Sequence, residues 1–132
     1  MSDANTTFLR RVLLLDAVAS GATGVLALVG ADVLQQILAV PAPLLRWAGV
    51  ILIPFAALLV YLARKSTVSR IAVWDVVVIN IAWVIASFAL LAEGWIAPNP
   101  LGIAFIAAQA IAVAGLTAME WIGLQRSSAA AA

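Results

Sequence analysis

Three acidic residues interrupt the apolar segments of this chain, and their side chains are the groups best suited to chemistry. Asp16, Asp75 and Glu120 each lie inside an apolar run of helical length. An ionisable side chain in such a run is costly in lipid, and it marks an ion or proton pathway or pairs with a cation. Asp16 follows Arg11 at the same spacing at which Asp75 follows Arg70. Both acids are therefore expected at similar depth in a membrane.

Uncharged polar residues extend this set. Asn80 lies near the middle of the third apolar run, where an amide needs an interhelical partner, and such bonds contribute roughly 0.6–2 kcal/mol. Gln109 and Glu120 are nearly three turns apart in the fourth run and share a helix face. The sequence predicts an intramembrane polar and charged network whose charged members cluster at the cytoplasmic mouth of a helical bundle. It comprises Asp16, Asp75, Asn80, Gln109, Glu120, Arg11, Arg64 and Arg70.

Two interpretations of this network remain open. In the first, Asp16 and Asp75 each lie within salt-bridge reach of Arg11, Arg64 or Arg70 and simply hold the helices in register. In the second, the carboxyl and amide groups bind an ion or a proton during transport. The first is favoured because the acids lie near the membrane interface, where a cationic partner is available.

The composition excludes several functional classes. The chain has no cysteine and no histidine, which removes thiolate nucleophiles, disulfides and imidazole bases. No catalytic, cofactor or metal signature is present, so the sequence predicts a non-enzymatic protein without cofactors. A net charge of +1 does not favour nucleic acid as a partner. The expected partners are membrane lipids and either another protein or a second copy of the chain.

The elements that position these residues are membrane-spanning helices. Apolar residues make up 66% of the chain and charged residues 10%, far from a soluble domain. The fold prediction is all-α: a polytopic membrane protein with four transmembrane helices in a compact bundle. The four spans cover about residues 12–31, 44–63, 71–92 and 101–124, and each is long enough for a ~30 Å hydrocarbon core. They form one domain over residues 12–124, between cytoplasmic segments at residues 1–11 and 125–132.

Basic residues predict the orientation. Six of the seven lie at the end of the bundle that carries both termini, and only Arg46 lies at the other end. By the positive-inside rule, both termini are cytoplasmic. The predicted location is a bacterial inner membrane.

Small residues predict how the spans pack. Ala17, Ser20, Gly21 and Gly24 form small-residue steps along span 1, which allow close backbone approach. Because spans 1, 3 and 4 also hold the polar residues, they are expected to form the inner seam, with span 2 facing lipid. The short loop after span 2 predicts that spans 2 and 3 are neighbours. Residues 32–38 have an apolar helical face and predict a short interfacial helix.

A weak internal repeat divides the chain. Besides the two Arg-x4-Asp openings, Pro41-Ala42-Pro43-Leu44 precedes span 2 and Pro98-Asn99-Pro100-Leu101 precedes span 4. The pattern is consistent with two tandem helical-hairpin repeats. Convergence explains it equally well, because prolines commonly start helices.

Residues 9–126 resemble a group of small uncharacterised four-helix integral inner-membrane proteins of proteobacteria. The resemblance is carried by Leu15-Asp16-Ala17, Leu45-Arg46-Trp47-Ala48-Gly49, Pro54-Phe55-Ala56-Ala57, Asn80-x2-Trp83-Val84 and Gln109-Ala110-x-Ala112-Val113. It implies the fold and no activity. Size and span count are also similar to small multidrug transporters, but Asp16 is shallower than their membrane-embedded glutamate, and their aromatic and glycine patterns are absent.

Three functions are compatible with these features. The favoured one is a binding or accessory subunit of a membrane complex, or a homo-oligomer. The alternative is a small proton- or ion-coupled transporter or channel protomer that uses the intramembrane carboxylates. A lipid-metabolising enzyme is third, because the sequence lacks a nucleophile and base set.

Overall fold

The computed structural model describes the backbone of residues 3–131 and the side chains of residues 6–126, and Met1, Ser2 and Ala132 of the predicted terminal segments lie outside this part. The described chain consists of five helices joined by short loops. They are α1 (Asp3–Val29), α2 (Ala31–Leu38), α3 (Ala42–Arg64), α4 (Arg70–Ala92) and α5 (Pro100–Ala131). The predicted all-α four-helix bundle is confirmed.

Four of these helices are long and apolar enough to cross a membrane. The apolar stretches are Thr6–Val29, Ala42–Arg64, Arg70–Ala92 and Pro100–Arg126, with mean hydropathy between 2.0 and 2.2. At ~1.5 Å per residue, each exceeds a ~30 Å hydrocarbon core. Spans 1 to 4 of the sequence therefore correspond to α1, α3, α4 and α5, and the protein is a multi-pass membrane protein.

The loops end or start helices through local hydrogen bonds. α2 ends at Ala39, which adopts the left-handed conformation with φ 56°. The Gln35 side chain then accepts a hydrogen bond from the backbone N–H of Ala42, the first residue of α3, at 2.6 Å. Asn99 starts α5 in a similar way, because its Oδ1 accepts from the N–H of Gly102 at 2.8 Å. Such bonds satisfy amide groups that a helix start leaves free.

The helices pack as two pairs. α1 and α3 share the most extensive interface, α4 and α5 the next, and α1 and α5 join the two pairs, whereas α3 and α4 barely touch. The prediction that spans 1, 3 and 4 pack most closely and that span 2 faces lipid is therefore wrong, because span 2 (α3) is the main partner of α1. The polar residues of spans 1, 3 and 4 nevertheless meet in the core. The predicted proximity of spans 2 and 3 is wrong as well. The loop between them is short, but α3 packs against α1 and α4 packs against α5.

Glycine explains why α1 and α3 approach so closely. A Cβ added at Gly49 would lie 2.6 Å from the carbonyl oxygen of Gly24 and 2.9 Å from the backbone nitrogen of Leu28. A Cβ at Gly24 would lie 2.9 Å from the Cβ of Leu52. The small residues of span 1 thus mark close packing as predicted, but against α3. Gly21 follows the same face, since a Cβ there would lie 3.4 Å from the Cβ of Ala56.

Two apolar clusters fill the bundle. We call the end that carries Arg10, Arg64, Lys65 and Arg70 the basic end, and the end that carries α2 the opposite end. The cluster toward the basic end contains Leu9, Leu13, Ala17, Leu59, Leu62, Ala63, Val68, Val73, Val76 and Leu124. The cluster toward the opposite end contains Ala27, Ala31, Leu38, Val40, Ala42, Leu45 and Ile106. Asp16 lies between Leu13 and Ala17 of the first cluster along α1, and Glu120 lies one turn from Leu124 along α5.

Candidate functional site

Three helices bring two carboxyl groups and one amide together in the core. The amide nitrogen of Asn80 on α4 donates to Oδ2 of Asp16 on α1 at 2.9 Å. The same nitrogen donates to Oε1 of Glu120 on α5 at 3.0 Å. The carboxyl groups of Asp16 and Glu120 are therefore neighbours, because they accept from the same nitrogen. We call these three residues the carboxyl site.

The carboxyl site is closed to its surroundings. Asp16 and Glu120 are 0% exposed and Asn80 is 3% exposed. Ser20, one turn along α1, donates its hydroxyl to Oδ1 of Asp16 at 3.0 Å. This contact needs no tertiary packing, because residues four apart on a helix are neighbours. Asp16 is therefore satisfied on both oxygens, by its own helix and by α4.

Glu120 is satisfied on only one oxygen. Its Oε1 accepts from Asn80, whereas its Oε2 is buried and has no hydrogen-bond partner within the described residues. An orphaned polar atom in a low-dielectric core costs about 1–3 kcal/mol. A proton on either carboxyl would add a donor to a site in which both carboxyl groups otherwise only accept. The geometry thus accommodates a hydrogen ion shared between Asp16 and Glu120.

Within residues 6–126, no basic side chain lies within salt-bridge distance of this pair. Over residues 6–126, the one ion pair joins Arg46 to Asp32 at 2.5 Å, at the opposite end of the molecule. The predicted salt bridge of Asp16 is therefore not formed. Two buried carboxylates without a counterion would carry a desolvation cost of several kcal/mol each.

The arginines of the basic end bind backbone carbonyls instead. Arg10 donates to the carbonyl oxygens of Lys65 and Ser66, both at 2.8 Å. Arg70 donates to the carbonyl oxygen of Leu124 at 3.1 Å. The carbonyls of Lys65 and Ser66 belong to the loop that follows α3, where acceptors are short of donors. Arg10 thus joins α1 to the end of α3, and Arg70 joins α4 to α5, so each arginine holds one helix pair together at this end.

Other predicted network residues lie outside the carboxyl site. Asp75 is exposed on α4, and its predicted ion pair is not formed within residues 6–126. Arg11 and Arg64 are also exposed. The Arg-x4-Asp spacing fixes depth along a helix but not the direction of the side chain. Asp75 therefore lies at a similar depth along its helix to Asp16, but its side chain is on an exposed face of α4.

Gln109 belongs to a second polar group, which we call the amide–indole group. Its Oε1 accepts from the indole N–H of Trp83 at 2.9 Å. Its Nε2 donates to Oγ of Ser87 at 3.0 Å and to the carbonyl oxygen of Ile106 at 2.8 Å. Ser87 in turn donates to the carbonyl oxygen of Trp83 at 2.8 Å. These bonds hold α4 to α5 about a turn from Asn80, toward the opposite end.

An apolar cleft opens beside the amide–indole group. It lies where α3 and α4 fail to meet, and its volume is about 300 Å³. Its aromatic walls are Trp47, Trp83, Trp95 and Phe105, and none of its lining residues is charged. No pattern in the sequence predicted this cleft. A usable signal was the position of Trp83, Ser87 and Gln109 deep in two spans rather than at an interface.

The described residues contain no obvious set of metal ligands, because no three acidic, histidine or cysteine side chains converge among them. The carboxyl site offers two carboxyl groups, one amide and one hydroxyl. The amide presents its nitrogen to both carboxyl groups, and an N–H donor repels a cation placed between them. The arrangement suits a proton better than a metal ion.

No known protein family, curated protein or solved structure matches this chain.

Proposed function

We propose that the protein is a non-enzymatic, proton-binding membrane transport protein, which works as a proton-coupled transporter or channel protomer. The proposal rests on one observation. Asp16 and Glu120 are fully buried together, share the amide of Asn80, and have no cation within salt-bridge distance over residues 6–126. Intramembrane acids in this situation are typical of proton relays in pumps and transporters.

The absence of a cationic partner among the described side chains separates this function from a structural latch. A latch would neutralise Asp16 with an arginine, yet Arg10 and Arg70 are engaged with carbonyl groups. A site that carries its own proton can instead change charge when the proton leaves. That change in charge is what a proton-coupled cycle requires, because it alters the energy of the packed state.

The proposed location is a bacterial inner membrane with both termini cytoplasmic. Support comes from the basic residues, six of which lie at the basic end. The exception, Arg46, is paired with Asp32. Accessibility of single cysteines tests this orientation: Gln36→Cys should react with an impermeant maleimide from the periplasmic side. A reaction of Thr67→Cys from that side instead would contradict it.

Infrared spectroscopy tests the bound proton directly. At a pH where exposed carboxyl groups are ionised, the wild-type protein should show the carbonyl stretch of a protonated carboxylic acid. Asp16→Asn and Glu120→Gln should each remove or shift this band. Asp75→Asn is the matched control and should leave it unchanged. A wild-type spectrum without the band would contradict the proposal.

Flux measurements test transport. In liposomes with an internal pH dye, a potassium–valinomycin potential should drive proton uptake through the wild-type protein. Asp16→Asn and Glu120→Gln should lose the uptake although both still fold, and Asp75→Asn should retain it. Equal uptake by all four proteins, or no uptake by any, would contradict a transport role.

Self-association is a second candidate function, and one observation favours it. α5 presents a face of small residues away from the bundle, comprising the exposed residues Ala104, Ala108, Ala112 and Gly115. A Cβ at Gly115 would find nothing within 4 Å. Small residues at these spacings let two membrane helices approach closely. This face can serve a second copy of the chain, or a partner protein to which this chain is an accessory subunit.

Crosslinking tests this second candidate. Gly115→Leu together with Ala112→Leu should abolish crosslinked dimers in native membranes, because the larger side chains keep the backbones apart. Ala57→Leu changes an exposed small residue of α3 and should leave dimers intact. If the wild-type chain gives no dimer and no crosslinked partner, the association role is wrong.

A further inference from the structure

We propose that the cleft between α3 and α4 is a binding site for one uncharged aromatic small molecule, which enters sideways from the lipid. This inference names the substrate class of the proposed transporter and to that extent rests on the proposed function. It is carried by the shape, lining and position of the cleft rather than by the carboxyl site.

The size of the cleft fits a small molecule. Its volume of about 300 Å³ is at the lower end of the range for ligand pockets, roughly 300–1,000 Å³. The cleft exists because α3 and α4 each pack on their own hairpin partner and hardly on each other. The gap between them faces the membrane, so a ligand that dissolves in lipid reaches it without crossing water.

The lining selects an aromatic occupant. Trp83 and Phe105 form partly buried walls, whereas Trp47 and Trp95 are 67% and 68% exposed at the mouth. Aromatic rings pair in offset or edge-to-face geometry with gains of about 0.5–1.5 kcal/mol beyond burial. A flexible acyl chain gains none of this and loses rotational freedom on entering the cleft.

The lining of the cleft is uncharged, which disfavours an ion as the ligand. None of the residues around the cleft is acidic or basic. Three polar residues of its wall are committed to each other, because the amide of Gln109 bonds Trp83, Ser87 and a backbone carbonyl. Thr23, Trp47 and Trp95 add only uncharged polar groups to the lining. A charged ligand would therefore lose its solvation and find no counter-charge.

The cleft is connected to the carboxyl site through two helices. Trp83 and Asn80 are less than a turn apart on α4, and Gln109 and Glu120 lie on α5. A ligand that pushes α4 away from α3 acts on the helix whose amide bridges the two carboxyl groups. This shared helix gives the ligand a physical route to the bound proton.

Binding in lipid nanodiscs tests the proposal. The uncharged probe N-phenyl-1-naphthylamine should bind the wild-type protein saturably, at one probe per chain after subtraction of empty nanodiscs. Ala86 is exposed and lines the cleft, so Ala86→Phe should fill the cleft and weaken binding about tenfold or more, equivalent to 1.4 kcal/mol. The matched control, Ala82→Phe, changes an exposed residue of the same helix outside the cleft and should bind as the wild type does.

Each alternative gives a different result. Equal saturable binding of the cation tetraphenylphosphonium would overturn the requirement for an uncharged ligand. If no saturable probe binding occurs, but brominated phosphatidylcholine quenches wild-type tryptophan more than that of Ala86→Phe, an acyl chain occupies the cleft and the proposal is wrong. Unchanged probe binding in Ala86→Phe would overturn it as well.

The proton site can fail without affecting this test. Glu120→Gln should still bind the probe, because Glu120 does not line the cleft. Probe binding without an infrared proton band would therefore reject the proposed function and keep the cleft. The reverse result would reject the cleft and keep the proton site.

Discussion

The two helix pairs open with similar sequences but are held together by different contacts. α1 and α3 meet backbone to backbone at Gly24 and Gly49, where no side chain intervenes. α4 and α5 meet through polar side chains, with Gln109 bonded to Trp83 and Ser87. The first pair is fixed by shape and the second by hydrogen bonds. A pair fixed by shape tolerates no added atom, whereas a hydrogen-bonded pair can rearrange when its partners change.

The same contrast separates the two aspartates. Asp16 and Asp75 each follow an arginine by five residues, yet Asp16 is 0% exposed and Asp75 is exposed. Asp16 is buried in the core, where it accepts from Asn80 of α4, while Asp75 lies on an exposed face of α4. If the hairpins are repeats, they have kept the spacing of these residues and not their surroundings.

The largest expected effect concerns the backbone crossing. Gly49→Ala should lower the free energy of unfolding by about 3 kcal/mol, because its Cβ would overlap the carbonyl of Gly24 and rigid backbone cannot yield. Gly115→Ala meets nothing within 4 Å and should stabilise α5 by roughly 0.5–1 kcal/mol. Unfolding in mixed micelles with increasing dodecyl sulfate measures both. Equal effects would mean that the crossing is not close in the membrane.

The next effect distinguishes the aspartates. Asp16→Ala should destabilise the protein by about 2 kcal/mol, since it removes the acceptor of Asn80 and the partner of Glu120 inside the core. Asp75→Ala should change stability by less than about 0.5 kcal/mol. The same micelle titration applies. A larger loss in Asp75→Ala would show that the exposed aspartate has a partner in the assembled protein.

A smaller effect is expected in the second pair. Gln109→Leu should cost about 1 kcal/mol, because the hydrogen bonds to Trp83 and Ser87 are lost while the apolar volume is kept. The tryptophan emission should also shift, as the indole N–H of Trp83 loses its acceptor. Gln125→Leu changes an exposed glutamine of the same helix and is the control. No shift in Gln109→Leu would contradict the bond.

The smallest effect belongs to the ion pair at the opposite end. Arg46 and Asp32 are exposed, with 47% and 79% of their side-chain surfaces accessible. Exposed pairs contribute about 0.2–1 kcal/mol and are screened by salt. Arg46→Ala should therefore cost under about 1 kcal/mol at low salt and less at high salt. If the double variant with Asp32→Ala loses twice as much as either single variant, the two residues act independently.

The sequence predicts the elements of this fold well and their partners poorly. Long apolar runs such as residues 71–92 predict spans because lipid requires a helix of that length, and the apolar face of residues 32–38 predicts α2. Which helices pack against each other is harder to predict from the sequence. Lipid-facing and core-facing side chains are equally apolar, so nothing in the composition of α3 reveals that it, rather than α4, covers α1.

The carboxyl site shows the same limit. The sequence names Asp16, Asn80 and Glu120 as candidates because polar residues are rare in spans. It also names Asp75, Arg11 and Arg64, which the structure leaves exposed. Only the rotation of each helix separates the two groups, and rotation depends on all the contacts of the bundle. The cleft escaped prediction for a related reason, since it results from a contact that two adjacent helices do not make.

The glycine crossing also has a consequence for the order in which the chain is assembled. α1 and α3 are synthesised first, and their contact at Gly24 and Gly49 needs nothing that comes later. The tertiary partners of Asp16 are synthesised later, because Asn80 follows it by 64 residues and Glu120 follows Asn80 by a further 40 residues. Until then its described hydrogen bond from α1 itself is that of Ser20. A nascent first hairpin therefore carries an uncovered acid, and the arrival of α5 completes its burial.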